Sequence, residues 1–236
     1  MSKKKKSSFN IPQLKQNITV NCVKLDEKQL HFLEKSLSTK TKIMFVNGPA
    51  GTSKTYMAVY SALRMLSADD ELDLVYVRTV IESADKGLGA LPGDLAEKFN
   101  PYMMPLMDKL EEMLPKNTSL KSDLLEKGRI SAMPINFLRG ASWINKVIVA
   151  DEAQNFTFKE LTTLITRIGK NTTLFICGDS MQSDISGKSG FQDMCEIFDD
   201  YKSRQKGIEF FKFSEEDIKR SEILKYIVSK INNSQK

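Results

Sequence analysis

A glycine-rich run that ends in lysine and threonine carries the clearest chemistry in this sequence. Residues 48–55 read GPAGTSKT and follow the apolar stretch IMFVN. In a loop between a strand and a helix, backbone N–H groups bind phosphate oxygens, a lysine ammonium reaches the terminal phosphates, and a hydroxyl can bind Mg²⁺. We therefore expect a nucleotide-binding loop made of Gly48, Pro49, Ala50, Gly51, Thr52, Ser53, Lys54 and Thr55.

Ser53 departs from the phosphate-loop pattern G-x-x-x-x-G-K-[ST], because it stands where that pattern has its second glycine. A Cβ at this position could crowd the β-phosphate. Alternatively, the side chain is accommodated if residue 53 is already helical. The sequence leaves both alternatives open.

A pair of acidic residues follows a second apolar run, in VIVADEAQN at residues 147–155. Asp151 is suited to hold the Mg²⁺ shell through water, beside the hydroxyl ligand Thr55, and Glu152 is suited to act as the general base on the attacking water. A buried acidic pair is costly unless a cation compensates it, which favours a metal site. Gln154 could link the γ-phosphate to a moving element.

Two glutamines are further candidates for nucleotide contacts. Gln182, in ICGDSMQSD at residues 176–184, could sense the γ-phosphate with its amide. Gln29 precedes the loop in a helical segment, and a glutamine amide can hydrogen-bond both edges of adenine. Phosphoryl transfer also needs a cation for the developing charge, and an arginine is well suited to that role. The candidates are Arg78, Arg139, Arg167 and Arg220.

The elements that must position these residues alternate along the chain. Short apolar strands alternate with helices, which predicts an α/β fold with a parallel sheet covered on both faces. Ligands of such sheets bind beyond the C-terminal ends of the strands, where the motifs lie. Pro101, Pro105 and Pro115 are expected to break the helical segments at 94–114 and 119–127. The predicted strands span 41–47, 73–80, 129–135, 146–151, 172–179 and 207–213.

Composition bounds the remaining possibilities. The 236 residues suit a disordered basic tail at 1–8 and a single domain at 9–236, with a helical insertion at about 81–127. The net charge of +5 comes mostly from four lysines at 3–6. We expect no secretory signal and no membrane span, and the three cysteines predict neither disulfides nor zinc, so a cytoplasmic protein is expected. His31 is the only histidine, which argues against hydrolases with a Ser–His pair.

Taken together, the motifs resemble the PhoH family of phosphate-starvation-inducible ATPases. The matching stretches are GPAGTSKT, LGALPGDLAEKFNPY, VIVADEAQN, GDSMQSD and GKSGF. The resemblance implies a P-loop NTPase fold with a RecA-like sheet, similar to the first motor domain of superfamily 1 helicases. It further implies ATP and Mg²⁺ as cofactors and a homo-oligomer, a hexameric ring, that acts on single-stranded nucleic acid, RNA ahead of DNA. Family members usually have glycine where this chain has Ser53.

Three functions remain in competition at the level of sequence. The first is an ATP-hydrolysing, helicase-related motor domain, with catalytic roles for Lys54, Glu152 and Gln182 and for one of the arginines. The second is a slow ATP-dependent binding switch without motor activity, which Ser53 favours. The third is a small-molecule kinase, which would not need the DEAQ and GD-x-x-Q motifs.

Overall fold

In the part of the chain that the structure describes, the sheet contains six strands, all paired in parallel. The computed structural model describes residues 18–79, 95–138, 143–180, 189–219, 223, 226–227 and 230. The strand order across the sheet is β3-β2-β4-β5-β1-β6. The predicted α/β class with a parallel sheet is confirmed. The strands are β1 Ile43–Asn47, β2 Asp73–Arg78, β3 Ile130–Pro134, β4 Lys146–Asp151, β5 Thr172–Gly178 and β6 Ile208–Lys212.

Helices cover both faces of this sheet. They are α1 Glu27–Ser36, α2 Lys54–Ala68, α3 Leu95–Met113, α4 Leu120–Glu126, α5 Phe158–Ile165, α6 Gly190–Phe198 and α7 Tyr201–Gln205. Short 3₁₀ turns span Ile135–Phe137, Ala153–Asn155 and Glu215–Asp217. Among the described residues, none of the helices combines the length and the apolar character needed to cross a membrane.

Side chains on the strands alternate between two hydrophobic cores. On β1, Met44 and Val46 enter the core beneath α1, α2 and α3, whereas Phe45 enters the core beneath α5 and α6. On β4, Val149 enters the core beneath α1, α2 and α3, and Ile148 enters the core beneath α5 and α6. Successive side chains of a strand point to opposite faces of the sheet, and both faces are buried. The strands are therefore continuous apolar runs in the sequence.

The prediction that Pro101 and Pro105 break the helical segment at 94–114 was wrong, whereas Pro115 lies between α3 and α4, as predicted. Helix α3 continues through Pro101 and Pro105 to Met113. An interior proline removes a backbone hydrogen bond and crowds the preceding turn. Here the following turns are held by burial of Leu106 and Leu110, which are fully inaccessible in the core. Tertiary packing therefore outweighs the local signal.

Residues 190–205 form two short helices rather than one continuous helix. Helix α6 ends at Phe198 and α7 begins at Tyr201. The side chain of Asp200 accepts hydrogen bonds from the N–H groups of Lys202 and Ser203, and so starts a new helix.

Candidate nucleotide-binding site

The loop after β1 is anchored at the C-terminal edge of the sheet. The N–H of Gly48 donates to the carbonyl of Gly178 at the end of β5, at 3.2 Å. The side chain of Asn47 donates to the hydroxyl of Ser180 at 2.9 Å and accepts its N–H at 3.1 Å. A Cβ on Gly48 would lie 2.7 Å from the Cβ of Phe213, so only glycine fits here. These contacts hold the loop against two neighbouring strands.

Within the loop, the backbone turns through two left-handed residues before α2 begins. Gly51 has φ 83° and Ser53 has φ 68°. Ser53 is the N-cap residue of α2, so the alternative that it is already helical was wrong. The side chain of Ser53 makes no capping hydrogen bond to the first turn of α2. Ser53, Lys54 and Thr55 line the adjacent cavity, so the start of α2 stands where an anion site would use the N–H groups of that turn.

Lys54 lies inside the loop. Its ammonium donates to the carbonyls of Gly48 and Pro49, at 2.6 and 2.9 Å. The hydroxyl of Thr52 donates to the Pro49 carbonyl at 2.8 Å and closes the loop. A cavity of about 550 Å³ lies beside it, and Ala50 and Lys54 are among its lining residues. Five of the eight predicted phosphate-loop residues line this cavity, and they are Ala50, Gly51, Ser53, Lys54 and Thr55.

Asp151 ends β4 in the same cavity and is buried, with 4% of its surface exposed. The hydroxyl of Thr55 donates to its Oδ1 at 2.5 Å, and the hydroxyl of Tyr76 donates to its Oδ2, also at 2.5 Å. Burial, together with the negative charge of Asp151, raises the pKa of Tyr76 well above its ordinary value. Tyr76 therefore remains a hydrogen-bond donor to the carboxylate.

The oxygen pair of Thr55 and Asp151 fits Mg²⁺. Both are hard oxygen donors of the kind that Mg²⁺ prefers, so the Thr55 hydroxyl would bind the ion and Asp151 would hold its coordination shell. No cluster of three or more His, Cys, Asp or Glu side chains suited to a metal occurs in the described part of the chain. A site with few protein ligands suits Mg²⁺, which retains waters and takes phosphate oxygens.

Glu152 follows Asp151 in a left-handed conformation, with φ 54°. Its Oε2 accepts a hydrogen bond from the amide of Gln154 at 2.6 Å, and its Oε1 lies 3.9 Å from Nη2 of Arg78. The side-chain carbonyl of Gln154 in turn accepts a hydrogen bond from the backbone N–H of Asp179 at 3.1 Å. Gln154 therefore links the carboxylate at the end of β4 to the end of β5.

The arginine candidates fall in different places. Arg78 ends β2 and lines the cavity. Arg167 lies near the opposite edge of the sheet, because its carbonyl accepts the N–H of Trp143, three residues before β4 begins. Arg139, Gln182 and Arg220 lie outside the described residues, as does the predicted tail at 1–8. Of the predicted cations, Lys54 and Arg78 are thus the ones placed at this cavity.

Gln29 borders a second pocket, of about 450 Å³, which also includes Ser53, Tyr56 and Lys219. Its side-chain carbonyl accepts the N–H of Asp26 at 3.2 Å, as part of the capping box that starts α1. Contact between Gln29 and a purine base stays a prediction.

Sequence reasoning missed several residues that line the main cavity. Helix α3 contributes Pro105, Asp108, Lys109 and Glu112, and Lys219 approaches from the chain after β6. The signal for α3 was its period of apolar residues, which indicates a helix packed on the core but not which polar residues face the ligand. Tyr76 was missed because it stands within the apolar run LVYV and reads as core.

Comparisons with known proteins agree with the family resemblance. The model of the family described as PhoH-like protein matches residues 22–232. A PhoH-like protein of Synechocystis sp. is 33% identical over 198 residues, which cover 83% of this chain and 58% of the relative. Protein PhoH of Escherichia coli (strain K12) is 34% identical over 198 residues, covering 83% of this chain and 54% of the relative. The chain thus spans somewhat more than half the length of these relatives.

Among solved structures, the Pif1 helicase from Candida albicans shares 15% identity with this chain. The alignment covers 82% of this chain and 41% of the helicase, with a TM-score of 0.39. A likeness at this level carries no argument about function.

Proposed function

The chain belongs to the PhoH-like protein family, and from that premise we propose that it binds ATP with Mg²⁺ and hydrolyses the γ-phosphate. The observation that carries the proposal is the 2.5 Å contact between the hydroxyl of Thr55 and Oδ1 of Asp151. It joins the start of α2 to the end of β4, and these are the two elements that a phosphate loop and a metal-binding aspartate must bring together.

Each residue of the cavity has a distinct role in this proposal. The N–H groups at the start of α2 and the ammonium of Lys54 hold the phosphates. Thr55 and Asp151 hold Mg²⁺, which supplies positive charge against the β- and γ-phosphate oxygens when it is bound. Glu152 accepts the proton of the attacking water, and Gln154 orients its carboxylate through the 2.6 Å hydrogen bond.

We further propose that this ATPase is a motor domain, acting in the cytoplasm on single-stranded nucleic acid, RNA ahead of DNA. Its support is the path from Glu152 through Gln154 to Asp179, which connects the hydrolytic carboxylate to a second strand end. A small-molecule kinase does not need such a link. The free state of all three cysteines is in keeping with a reducing compartment.

The test measures phosphate release by the whole chain with Mg²⁺ or EDTA, and with single-stranded RNA, single-stranded DNA or neither. We expect release that requires Mg²⁺ and rises with RNA more than with DNA. Release that is equal in EDTA would overturn the ATPase. Mg²⁺-dependent release that neither nucleic acid changes would overturn the motor while leaving the ATPase in place.

We propose that the protein acts as a hexameric ring in which an arginine reaches the neighbouring site. Arg167 supports this, since its position near the far edge of the sheet keeps it from the cavity of its own chain. Subunits with Arg167→Ala and subunits with Glu152→Gln should each be slow. Mixing them should restore part of the rate, because some interfaces then carry one intact half from each.

The mixing experiment is controlled by mass measurement, which must show hexamers and exchange of subunits. If Arg167→Ala alone is as fast as the wild type, this arginine has no catalytic role. The same variant mixture made with Arg220→Ala then tests the other candidate. Failure of both mixtures despite subunit exchange would overturn action in trans.

A slow binding switch is the second candidate function. It is favoured by Ser53, whose Cβ stands in the loop where the usual pattern has none, in a left-handed conformation. A switch would show tight ATP-dependent binding of RNA with release of less than one phosphate per chain during a binding event. A motor would release many phosphates in the same time.

A further inference from the structure

Tyr76 is a buried polar residue that the roles above leave unexplained. It lies in the middle of β2, none of its surface is exposed, and it is surrounded by the core beneath α1, α2 and α3. A phenylalanine would fill the same volume without burying a hydroxyl. A buried hydroxyl destabilises the fold unless it is hydrogen-bonded, and this one donates to Asp151.

The register of the sheet explains how the two residues meet. Tyr76 is paired with Val149 of β4, and Asp151 lies two residues further along the same strand and on the same face. Since neighbouring strands lie about 4.8 Å apart and two residues rise about 6.6 Å, such neighbours are about 8 Å apart at their backbones, which a tyrosine ring can span. The contact is therefore built by the strand pairing itself, between two elements buried in the centre of the sheet.

The two oxygens of Asp151 are divided between two donors. Oδ1 accepts from Thr55, which faces the cavity, and Oδ2 accepts from Tyr76, which faces the core. Together they fix the rotation of the carboxylate about its own axis. Oδ1 is consequently the oxygen presented beside the Thr55 hydroxyl, where the proposed Mg²⁺ shell lies.

We propose that Tyr76 is a positioning residue for the metal site: by holding Oδ2, it orients Asp151 so that Oδ1 and the Thr55 hydroxyl face Mg²⁺ together. The inference rests on the Mg²⁺ site of the proposed function. Partners of this kind, which hydrogen-bond to a metal-binding carboxylate, typically change metal affinity by roughly 10–100-fold when they are removed.

The test compares Tyr76→Phe with the wild type in binding of a fluorescent ATP analogue, in EDTA and across a series of Mg²⁺ concentrations. We expect Tyr76→Phe to bind the analogue normally in EDTA. The Mg²⁺ concentration that gives half of the maximal Mg²⁺-dependent increase in analogue binding should rise roughly 10-fold or more. The reason is that the carboxylate of Asp151 is no longer held in orientation. Tyr60→Phe is the matched control, since Tyr60 lies on α2 in the same core and is 5% exposed.

The outcomes separate this inference from the proposed function. If nucleotide binding by the wild type is indifferent to Mg²⁺, both are overturned. If the wild type responds to Mg²⁺ and Tyr76→Phe responds at the same concentration, only the role of Tyr76 is overturned. A loss of affinity that is equal in EDTA and in Mg²⁺ would show that the hydroxyl serves the fold alone.

A second measurement applies if Tyr76→Phe does not fold. Fluorotyrosine placed at position 76 alone gives a ¹⁹F signal from the phenol ring in the otherwise unchanged chain. The signal should shift when Mg²⁺ is added to the protein with bound ATP, because Asp151 then shares its charge with the metal. A signal that Mg²⁺ leaves unmoved would overturn the inference.

Discussion

The N-terminal and C-terminal edges of the sheet both contain residues in the left-handed backbone conformation, but the residue types differ. At the N-terminal edge, a left-handed residue lies one or two positions before each of four strands. These residues are Gly128, Asn145, Asn171 and Gly207. At the C-terminal edge, the left-handed positions among the described residues are Gly51, Ser53 and Glu152. Glycine and asparagine adopt this conformation readily, whereas serine and glutamate do so at a cost of about 1–2 kcal/mol each.

The placement of charge differs between the edges as well. At the N-terminal edge, Asp73 is paired with Arg129 at 3.0 Å and with Lys146 at 2.5 Å. At the C-terminal edge, the more deeply buried Asp151 accepts hydrogen bonds from the hydroxyls of Thr55 and Tyr76. The first carboxylate is neutralised by its own chain. The second is held by two neutral hydroxyls, so conformational strain and a buried carboxylate held by neutral donors occur together where a ligand is expected.

The largest effect that would test this contrast is expected from Lys54→Ala. Removing its ammonium should lower both nucleotide affinity and turnover, each by roughly 10²-fold, because the charge contacts bound nucleotide and transition state alike. Lys146→Ala is the matched control at the other edge. It breaks a partly exposed ion pair, so it should reduce the free energy of unfolding by about 1 kcal/mol or less and leave nucleotide binding intact. Unchanged turnover in Lys54→Ala would contradict the assignment of this edge.

Glu152→Gln is expected to have the next largest effect, and on hydrolysis alone. The amide keeps the size of the side chain but cannot accept a proton, so turnover should fall by roughly 10²-fold while ATP binding remains. Asp73→Asn serves as the comparison, and we expect it to lower stability without slowing turnover. Rates and affinities come from phosphate release and from fluorescent nucleotide titration. Loss of ATP binding in Glu152→Gln would mean that Glu152 belongs to the metal shell or to the fold.

The strands and helices could be predicted where the sequence pattern that specifies them is local. The strand of β4 follows from four consecutive apolar residues before Asp151, and all six strands lie within the predicted ranges. The order of the strands in the sheet could not be predicted, because the sequence of one strand does not determine which strand pairs with it. Helix α3 passes through two prolines for the same reason: the core that holds it is built from distant parts of the chain.

The candidate site was predictable in its motifs and not in its geometry. Lys54, Thr55, Asp151 and Glu152 meet at one cavity as expected, because each motif follows a strand of one parallel sheet. The left-handed conformations of Ser53 and Glu152 were not predicted, since their residue types argue against it. Tyr76 looks like any core aromatic until the pairing of β2 with β4 places it near Asp151.

Ser53→Gly is expected to have the smallest effect, and it tests the backbone side of the comparison directly. Glycine relieves the left-handed strain, although it also makes the unfolded chain more flexible, so the net gain in stability should be up to about 1 kcal/mol. That corresponds to a rise of roughly 2–4 °C in Tm for a chain of this size. Turnover should not fall, because the substitution restores the residue that the phosphate-loop pattern usually has.

Asn171→Gly is the matched substitution at the N-terminal edge, where φ is 51°. Asparagine already tolerates this conformation, and its side chain also donates to Asp69 at 3.3 Å, so glycine offers little relief there. We expect the free energy of unfolding to change by less than about 0.5 kcal/mol, with nucleotide binding unaffected. Thermal and denaturant unfolding of both variants give the comparison. An equal gain from the two glycines would show that the edges do not differ in strain, and the link between strain and ligand binding would then have to be abandoned.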